Sequence, residues 1–187
     1  MRKSSLMSFC EKYGEYIHWE GICEHGILLE SFIRKTIKYI DFNALSEENY
    51  KKLSEKFLEE HKDDVNWCRV CEYKKLNEPF MRRVSDYLCW ESVSEYQKLS
   101  ESFMRDFRDE LFWDEISIFQ TLSEEFVKEF EDYLILPFVF KNRKNLKNFS
   151  IEFLMENLEH IENIEIIKNC ISKKDYNVLK NIIEVME

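Results

Sequence analysis

Glycine and proline are nearly missing from this chain, 3 and 2 residues among 187. That scarcity leaves little material for β-turns, flexible linkers or disordered segments. No run of 18 or more apolar residues occurs, so no membrane-spanning helix is expected. Met1 to Cys10 lack the pattern of a signal peptide, and the chain reads as soluble and cytoplasmic. The six cysteines show no framework spacing, which points to reduced thiols rather than a disulfide scaffold. Gly14, Gly21 and Gly26 form neither a dinucleotide fingerprint nor a phosphate loop. Positive charge is also short: 27 Lys and Arg against 37 Asp and Glu give a net charge of -10, which argues against sequence-specific nucleic-acid binding.

Aromatic residues are plentiful, with 15 Phe, 9 Tyr and 4 Trp, and they are periodic. Trp67, Trp90 and Trp113 stand 23 residues apart, and Leu53, Leu76, Leu99 and Leu122 keep the interval beside Phe57, Phe80, Phe103, Phe126 and Phe149. A fixed period marks a tandem repeat whose units bury their apolar faces against one another. Trp19, Ile22, Leu28, Glu30 and Phe32 reproduce the spacing nearer the N-terminus, Phe42 with Leu45 replaces the next tryptophan, and Leu136 with Val139 supplies the last anchor. The step from Phe9 to Trp19 adds a partial unit before them.

Two short helices fit each unit. Trp113, Ile116 and Phe119 fall at i, i+3, i+6, and Leu122, Phe126 and Phe130 at i, i+4, i+8; neither alternates as a strand would. Pro79 and Pro137 sit where a first turn tolerates a missing N–H. Ser54, Asn77, Ser100 and Ser123 read as N-caps, each followed by a glutamate near the positive end of the helix dipole. The expected fold is an all-α solenoid of short helix-turn-helix repeats: one elongated domain over 1–187, with units over about 9–149 and a diverged C-terminal helical cap over about 150–187.

The strings WESVSEYQKLSESF, from Trp90 to Phe103, and WDEISIFQTLSEEF, from Trp113 to Phe126, resemble the short tandem W-x-x-I-S-x-Y-Q-x-L-S-E-x-F repeats of large DNA viruses and some phages. The likeness covers about Phe9 to Phe149 and is sharpest from Leu53 to Phe126. It implies a helical repeat scaffold of viral or mobile-element origin and carries no catalytic residues.

Cys68 and Cys71 form a C-x-x-C with His61 nearby, which raises a zinc or redox site. Against it, Cys71 occupies the slot of Cys23, Ser94 and Ser117, a small-residue packing position. His18 shares a slot with Asn66, Cys89 and Phe112, and His25 shares the ring slot of Tyr73, Tyr96 and Phe119, so His25 is expected in the core rather than as a base. No catalytic residue, metal ligand or cofactor is assigned. Two carboxylate rows remain: Glu30, Glu55, Glu78, Glu101 and Glu124, and Asp63, Asp86, Asp109 and Asp132. One reading makes the glutamates first-turn dipole partners and the aspartates acceptors for turn N–H groups. Another makes the rows a nucleic-acid mimic that occupies a basic channel. A basic stretch, Lys141, Arg143, Lys144 and Lys147, reads as a solvated loop or a docking point. The candidate partner-binding residues are therefore Glu78, Glu101, Glu124, Asp86, Asp109, Asp132, Lys141, Arg143 and Lys144.

These features point to a non-catalytic repeat protein that binds a host protein, in its most concrete form an anti-CRISPR-type inhibitor of a nuclease. A structural or assembly scaffold of a virus is the second reading and a metal-dependent enzyme a remote third.

Overall fold

The computed structural model describes residues 12–161 and 164–186, the last four of these by backbone alone. The partial repeat expected from Phe9 begins outside them. The fold is all-α, a succession of short helices in contact one repeat apart. The chain divides into two compact units, residues 1–97 and 98–187.

In the first unit the helix pairs are Trp19–His25 with Glu30–Ile33, Glu47–Lys52 with Glu55–Glu60, and Trp67–Tyr73 with Glu78–Arg83, followed by Trp90–Tyr96. The second holds Glu101–Asp106, the pair Trp113–Phe119 and Glu124–Glu129, then Leu136–Lys141, Arg143–Leu146, Ile151–Glu156 and the longer helix Lys173–Met186. Tryptophan opens a helix at each of its four positions, and Leu136 does so in its place. Pro79 and Pro137 stand in first turns. No described residue has a positive φ; first helices leave directly into extended backbone, at Lys74, Gln97 and Gln120 for example, and second helices end with negative φ at Val84, Phe107 and Phe130, which is why so few glycines suffice.

Helices of six or seven residues are marginal alone, and the repeats supply what each lacks. Phe57 and Phe80 in the first unit, and Phe103 and Phe126 in the second, are completely buried, each worth about 1.5–3 kcal/mol of apolar burial. The expected caps form: Ser54, Asn77, Ser100 and Ser123 accept from the backbone N–H of Phe57, Phe80, Phe103 and Phe126 at 2.9–3.1 Å. The indoles of Trp19, Trp67 and Trp113 reach back five residues, donating to the carbonyls of Gly14, Lys62 and Arg108 at 2.7, 2.8 and 3.0 Å.

Three local expectations change. Phe42 opens no helix: Asp41 accepts from the Asn43 N–H at 2.8 Å, this turn absorbs the inserted residues, and the helix waits until Glu47. Counting by 23 puts Phe149 in the capped-phenylalanine slot, but Ser150 caps Phe153 at 3.2 Å, because the extra helix Arg143–Leu146 lengthens this repeat. That helix also means that Arg143 and Lys144 are not in a loop.

The thiols are the largest correction. Cys68 and Cys89 form a disulfide across 21 residues, with Cα atoms 4.9 Å apart. Cys89 is the N-cap residue of Trp90–Tyr96, and in the preceding repeat that slot already reaches back: Asn66 Nδ2 donates to Asn43 Oδ1 at 2.6 Å. Cysteine makes the same reach covalent.

Candidate functional site

The side chains that could carry function separate into those the fold consumes and those it leaves at the surface. The small slot is consumed. Ser117 Oγ accepts from Ile135 N, eighteen residues on, at 2.9 Å. Cys23 and Cys71 receive the backbone N–H of Asp41 and Cys89 at the same offset. Burial pushes the Cys71 thiol up to about 12, the Cys89 N–H opposing it. With Cys68 bonded and Cys71 a buried neutral thiol, the C-x-x-C has no thiolate to offer zinc. Among the described residues no group of three or more His, Cys, Asp or Glu is gathered for a metal ion.

An amide slot, unassigned in the sequence reading, is consumed too. Gln97, 3% exposed, donates to the carbonyls of Cys71 and Lys74 and accepts from Leu76 N, at offsets of 26, 23 and 21 residues. Asn49 repeats the same offsets on Cys23, Gly26 and Leu28. In the second unit Gln120 accepts from Leu99 N at 3.2 Å and Asn145 from Leu122 N at 2.8 Å. Each amide satisfies the buried loop of the repeat before it, which loop backbone requires when covered. Lys74 occupies this slot with an ammonium that donates to Lys51 O, 23 residues back, at 3.3 Å. Burial holds its pKa below the ordinary value, with Glu55 and Glu30 opposing.

The glutamate row is engaged as well. Glu30 accepts from Ser54 N at 2.7 Å, Glu101 from Ser123 N at 2.7 Å, and Glu124 from Ser150 N. Each carboxylate caps the next repeat's second helix. Arginines lie over the same row: Arg34 pairs with Glu30 and Glu60, Arg83 with Glu55 and Glu59, Arg105 with Glu101 and Glu129. Burial alone would raise the Glu30 carboxyl, but the Ser54 N–H and the Arg34 guanidinium together hold it low. Glu78, in the first unit, is half-buried.

Asp63 and Asp86 in the first unit, and Asp109 and Asp132 in the second, are exposed. They do not accept turn N–H groups as expected. Those turns close backbone to backbone, as in Val65 N to His61 O and Leu111 N to Phe107 O, at 3.1 and 3.2 Å. Lys141, Arg143 and Lys144 are also exposed. The ring slot is a rim and not a core: the His25 side chain is 83% exposed, and Tyr96 and Phe119 are 38% and 44% exposed. Periodicity at i+6 places a side chain beside the core without burying it.

Charge is sorted by connection. Loops after a first helix (26–29, 53–54, 74–77, 97–100 and 120–123) contain no carboxylate and hold Lys74, Lys75 and Lys98, with the glutamate row opening the next helix; Lys51 and Lys52 close the helix Glu47–Lys52, and Arg143 and Lys144 lie on the helix Arg143–Leu146. Turns after a second helix carry Asp63, Asp64 and Asp86 with Lys62 in one unit, and Asp109, Glu110, Glu131 and Asp132 with Arg108 in the other. The longer connection before Glu47, with Lys35, Lys38 and Asp41, does not share the bias.

Clefts are shallow and open. One of about 210 Å³ lies among Val127, Lys128, Leu136, Phe153 and Glu156, one of about 410 Å³ among Ile37, Asp41, Phe42 and Asp64, and one of about 430 Å³ among Glu101, Ser123, Glu124 and Asn148. Among the described residues no helix is long and apolar enough to cross a membrane. Comparison with known proteins returned no match to a family model, a curated protein or a solved structure.

Proposed function

We propose that this chain is a non-catalytic binding protein that presents exposed ring slots of its helical repeats to a protein partner. The observation that carries the reading is the ring slot. The small, amide and glutamate slots face the neighbouring repeat, and Tyr96 and Phe119, which hold the same repeat position, are 38% and 44% exposed. Half-exposed aromatic rings on rigid helices are the residues that anchor protein interfaces. Ile118, beside Phe119, is 37% exposed and adds to that surface.

In its finer form the partner is a host protein and the chain comes from a virus, phage or mobile element, as the repeat resemblance implies. An anti-CRISPR-type inhibitor of a nuclease is the most specific version, and the exposed Asp86, Asp109 and Asp132 are the residues that would face a basic channel. Glu78, Glu101 and Glu124 contribute less, since fold contacts occupy Glu101 and Glu124.

Capture from host lysate with the whole chain, against Tyr96→Ala/Phe119→Ala, tests the reading. One dominant host protein should be recovered and then lost in the double variant, while the melting temperature holds. Equal recovery by both proteins contradicts the ring surface; loss only on charge reversal of Asp86, Asp109 and Asp132, with steep salt dependence, moves the interface to the acidic turns.

A further inference from the structure

We propose that the Cys68–Cys89 bridge is a thiol-exchange site, at which a low-molecular-weight thiol attacks the Cys68 sulfur and Cys89 leaves as the thiolate. Both sulfurs lie in the first unit, and their chemistry is independent of what the ring slots bind. Exchange needs a reachable sulfur and a leaving sulfur able to carry charge; to be reversible it also needs a fold that survives the opening. Access separates the two sulfurs. Cys68, second in the helix Trp67–Tyr73, is exposed, while Cys89 is half-buried. A thiolate arriving from solvent therefore meets Cys68 first, and exposed disulfides are the labile and regulatory ones. The leaving side is prepared: Ser92 Oγ donates to Cys89 Sγ at 3.4 Å. A hydrogen bond to the charged form favours it, and a thiol of lower pKa leaves faster.

The repeat does not need a covalent bond at this place. Asn43 follows Phe42 as Cys68 follows Trp67, and Asn66 precedes Trp67 as Cys89 precedes Trp90. These two asparagines hold the slots of the two cysteines and meet by one hydrogen bond at 2.6 Å. With the bridge open, the helix Trp90–Tyr96 keeps its other ties to the repeat before it. The Cys89 N–H lies on the Cys71 sulfur, Val93 is completely buried, and Gln97 holds the Cys71 and Lys74 carbonyls and the Leu76 N–H. Opening thus loosens one end of that helix and leaves it docked. Cys71, one turn from Cys68, does not compete as a nucleophile: burial pushes its thiol up to about 12, and the neutral thiol is not the attacking form.

In the first step the incoming thiolate forms a new S–S bond to Cys68 as the bond to Cys89 breaks. The electron pair goes to the Cys89 sulfur, which takes a proton from water. A second thiolate then attacks the small-molecule sulfur, releases Cys68 as the thiolate and leaves as the small disulfide. Two thiols are oxidised and one bridge is reduced. The small disulfide restores the bridge by the same steps reversed.

Exposing the whole bridged chain to glutathione, trapping free thiols with N-ethylmaleimide in the folded protein and mapping the peptides by mass tests this. Glutathione should be found on Cys68 and maleimide on Cys89, with Cys71 unmodified and the helical circular dichroism signal kept. Oxidised glutathione should restore the bridge. Ser92→Ala should slow opening severalfold with the melting temperature of the bridged protein unchanged, and Ser92→Thr, which keeps the hydroxyl, should restore the rate. Cys68→Asn/Cys89→Asn, which copies Asn43 and Asn66, should fold with the same helicity. Glutathione on Cys89 overturns the proposal, as does an opening rate unaltered in Ser92→Ala. So does a bridge that opens only when the chain unfolds, or helicity lost on opening or in the double asparagine variant. Neither Tyr96 nor Phe119 is changed in any of these proteins, so failure here leaves the ring-surface reading to be judged by its own capture experiment.

Discussion

The repeat opened by Trp67 and the repeat opened by Trp113 have nearly the same backbone and different fastenings. Around Trp67 the slots hold Cys68, Cys71, Lys74 and Asn77: a disulfide to Cys89, a buried thiol, a half-buried ammonium and an amide cap. Around Trp113 they hold Asp114, Ser117, Gln120 and Ser123, and the fastenings are two hydroxyls and an amide. The backbone thus specifies where an acceptor or donor must stand and leaves its chemistry open. That tolerance lets a repeat diverge in sequence without losing its fold.

The largest effect should come from what the two repeats share. Trp67, 8% exposed, packs at a tilt near Phe80 and Tyr87 at 6.4 and 6.3 Å between ring centres, and Trp67→Ala should lower stability by about 3–5 kcal/mol in urea titration. The same change at the less buried Trp113 should cost less; equality of the two would show that burial does not set the difference.

Reducing the Cys68–Cys89 bridge should come next. Loop closure over 21 residues predicts about 2–4 kcal/mol, confined to the first unit, read as faster amide exchange in residues 67–96 on adding a thiol reductant. Cys71→Ser should change little, because Ser117 already performs its role with a hydroxyl. An unchanged exchange pattern on reduction would remove the bridge from the account.

Lys74→Gln should stabilise by about 0.5–1.5 kcal/mol, since it puts the amide of Gln97 and Gln120 where burial now disfavours a charge. A loss of stability would mean that the ammonium is preferred there.

Acid should weaken the glutamate row by a smaller amount. Glu30 has a folded pKa below its ordinary value of 4.5, as has Glu129 through its hydrogen bond from Arg105. Their stabilisation is therefore present above that value and lost as pH falls through the lower folded pKa. Glu30→Gln should flatten the pH dependence of stability in that window; an unaltered slope would separate the row from acid unfolding.

Much of the fold was legible because local rules set it. Ser54, Asn77, Ser100 and Ser123 announce helix starts, and the tryptophan period announces the pairs. What escaped depends on which slot of one repeat touches which slot of the next. Cys68 pairs with Cys89 and not within its own C-x-x-C, a choice fixed by stacking rather than by spacing along one helix. The glutamates looked like first-turn dipole partners, and their reach to the Ser54, Ser123 and Ser150 amides appears only with the neighbouring helix in place. His25 shared its slot with aromatic residues, which hid that the slot is a rim. The candidate partner-binding rows were visible as charge, but their division into a fold-engaged glutamate row and an exposed aspartate row was not.

The central claim is that side chains from one repeat satisfy the buried loop of the repeat before it. Hydrogen exchange at the Leu76 amide tests this most directly, because that N–H lies outside any helix and its acceptor is Gln97 Oε1 at 2.9 Å. The account predicts protection at Leu76 comparable to that of the Trp67–Tyr73 helix, lost selectively at Leu76 in Gln97→Leu with a cost of about 1–3 kcal/mol. Exchange at Leu76 as fast as at the exposed Lys75 in the unaltered chain, or a Gln97→Leu protein as stable as its parent, would contradict it.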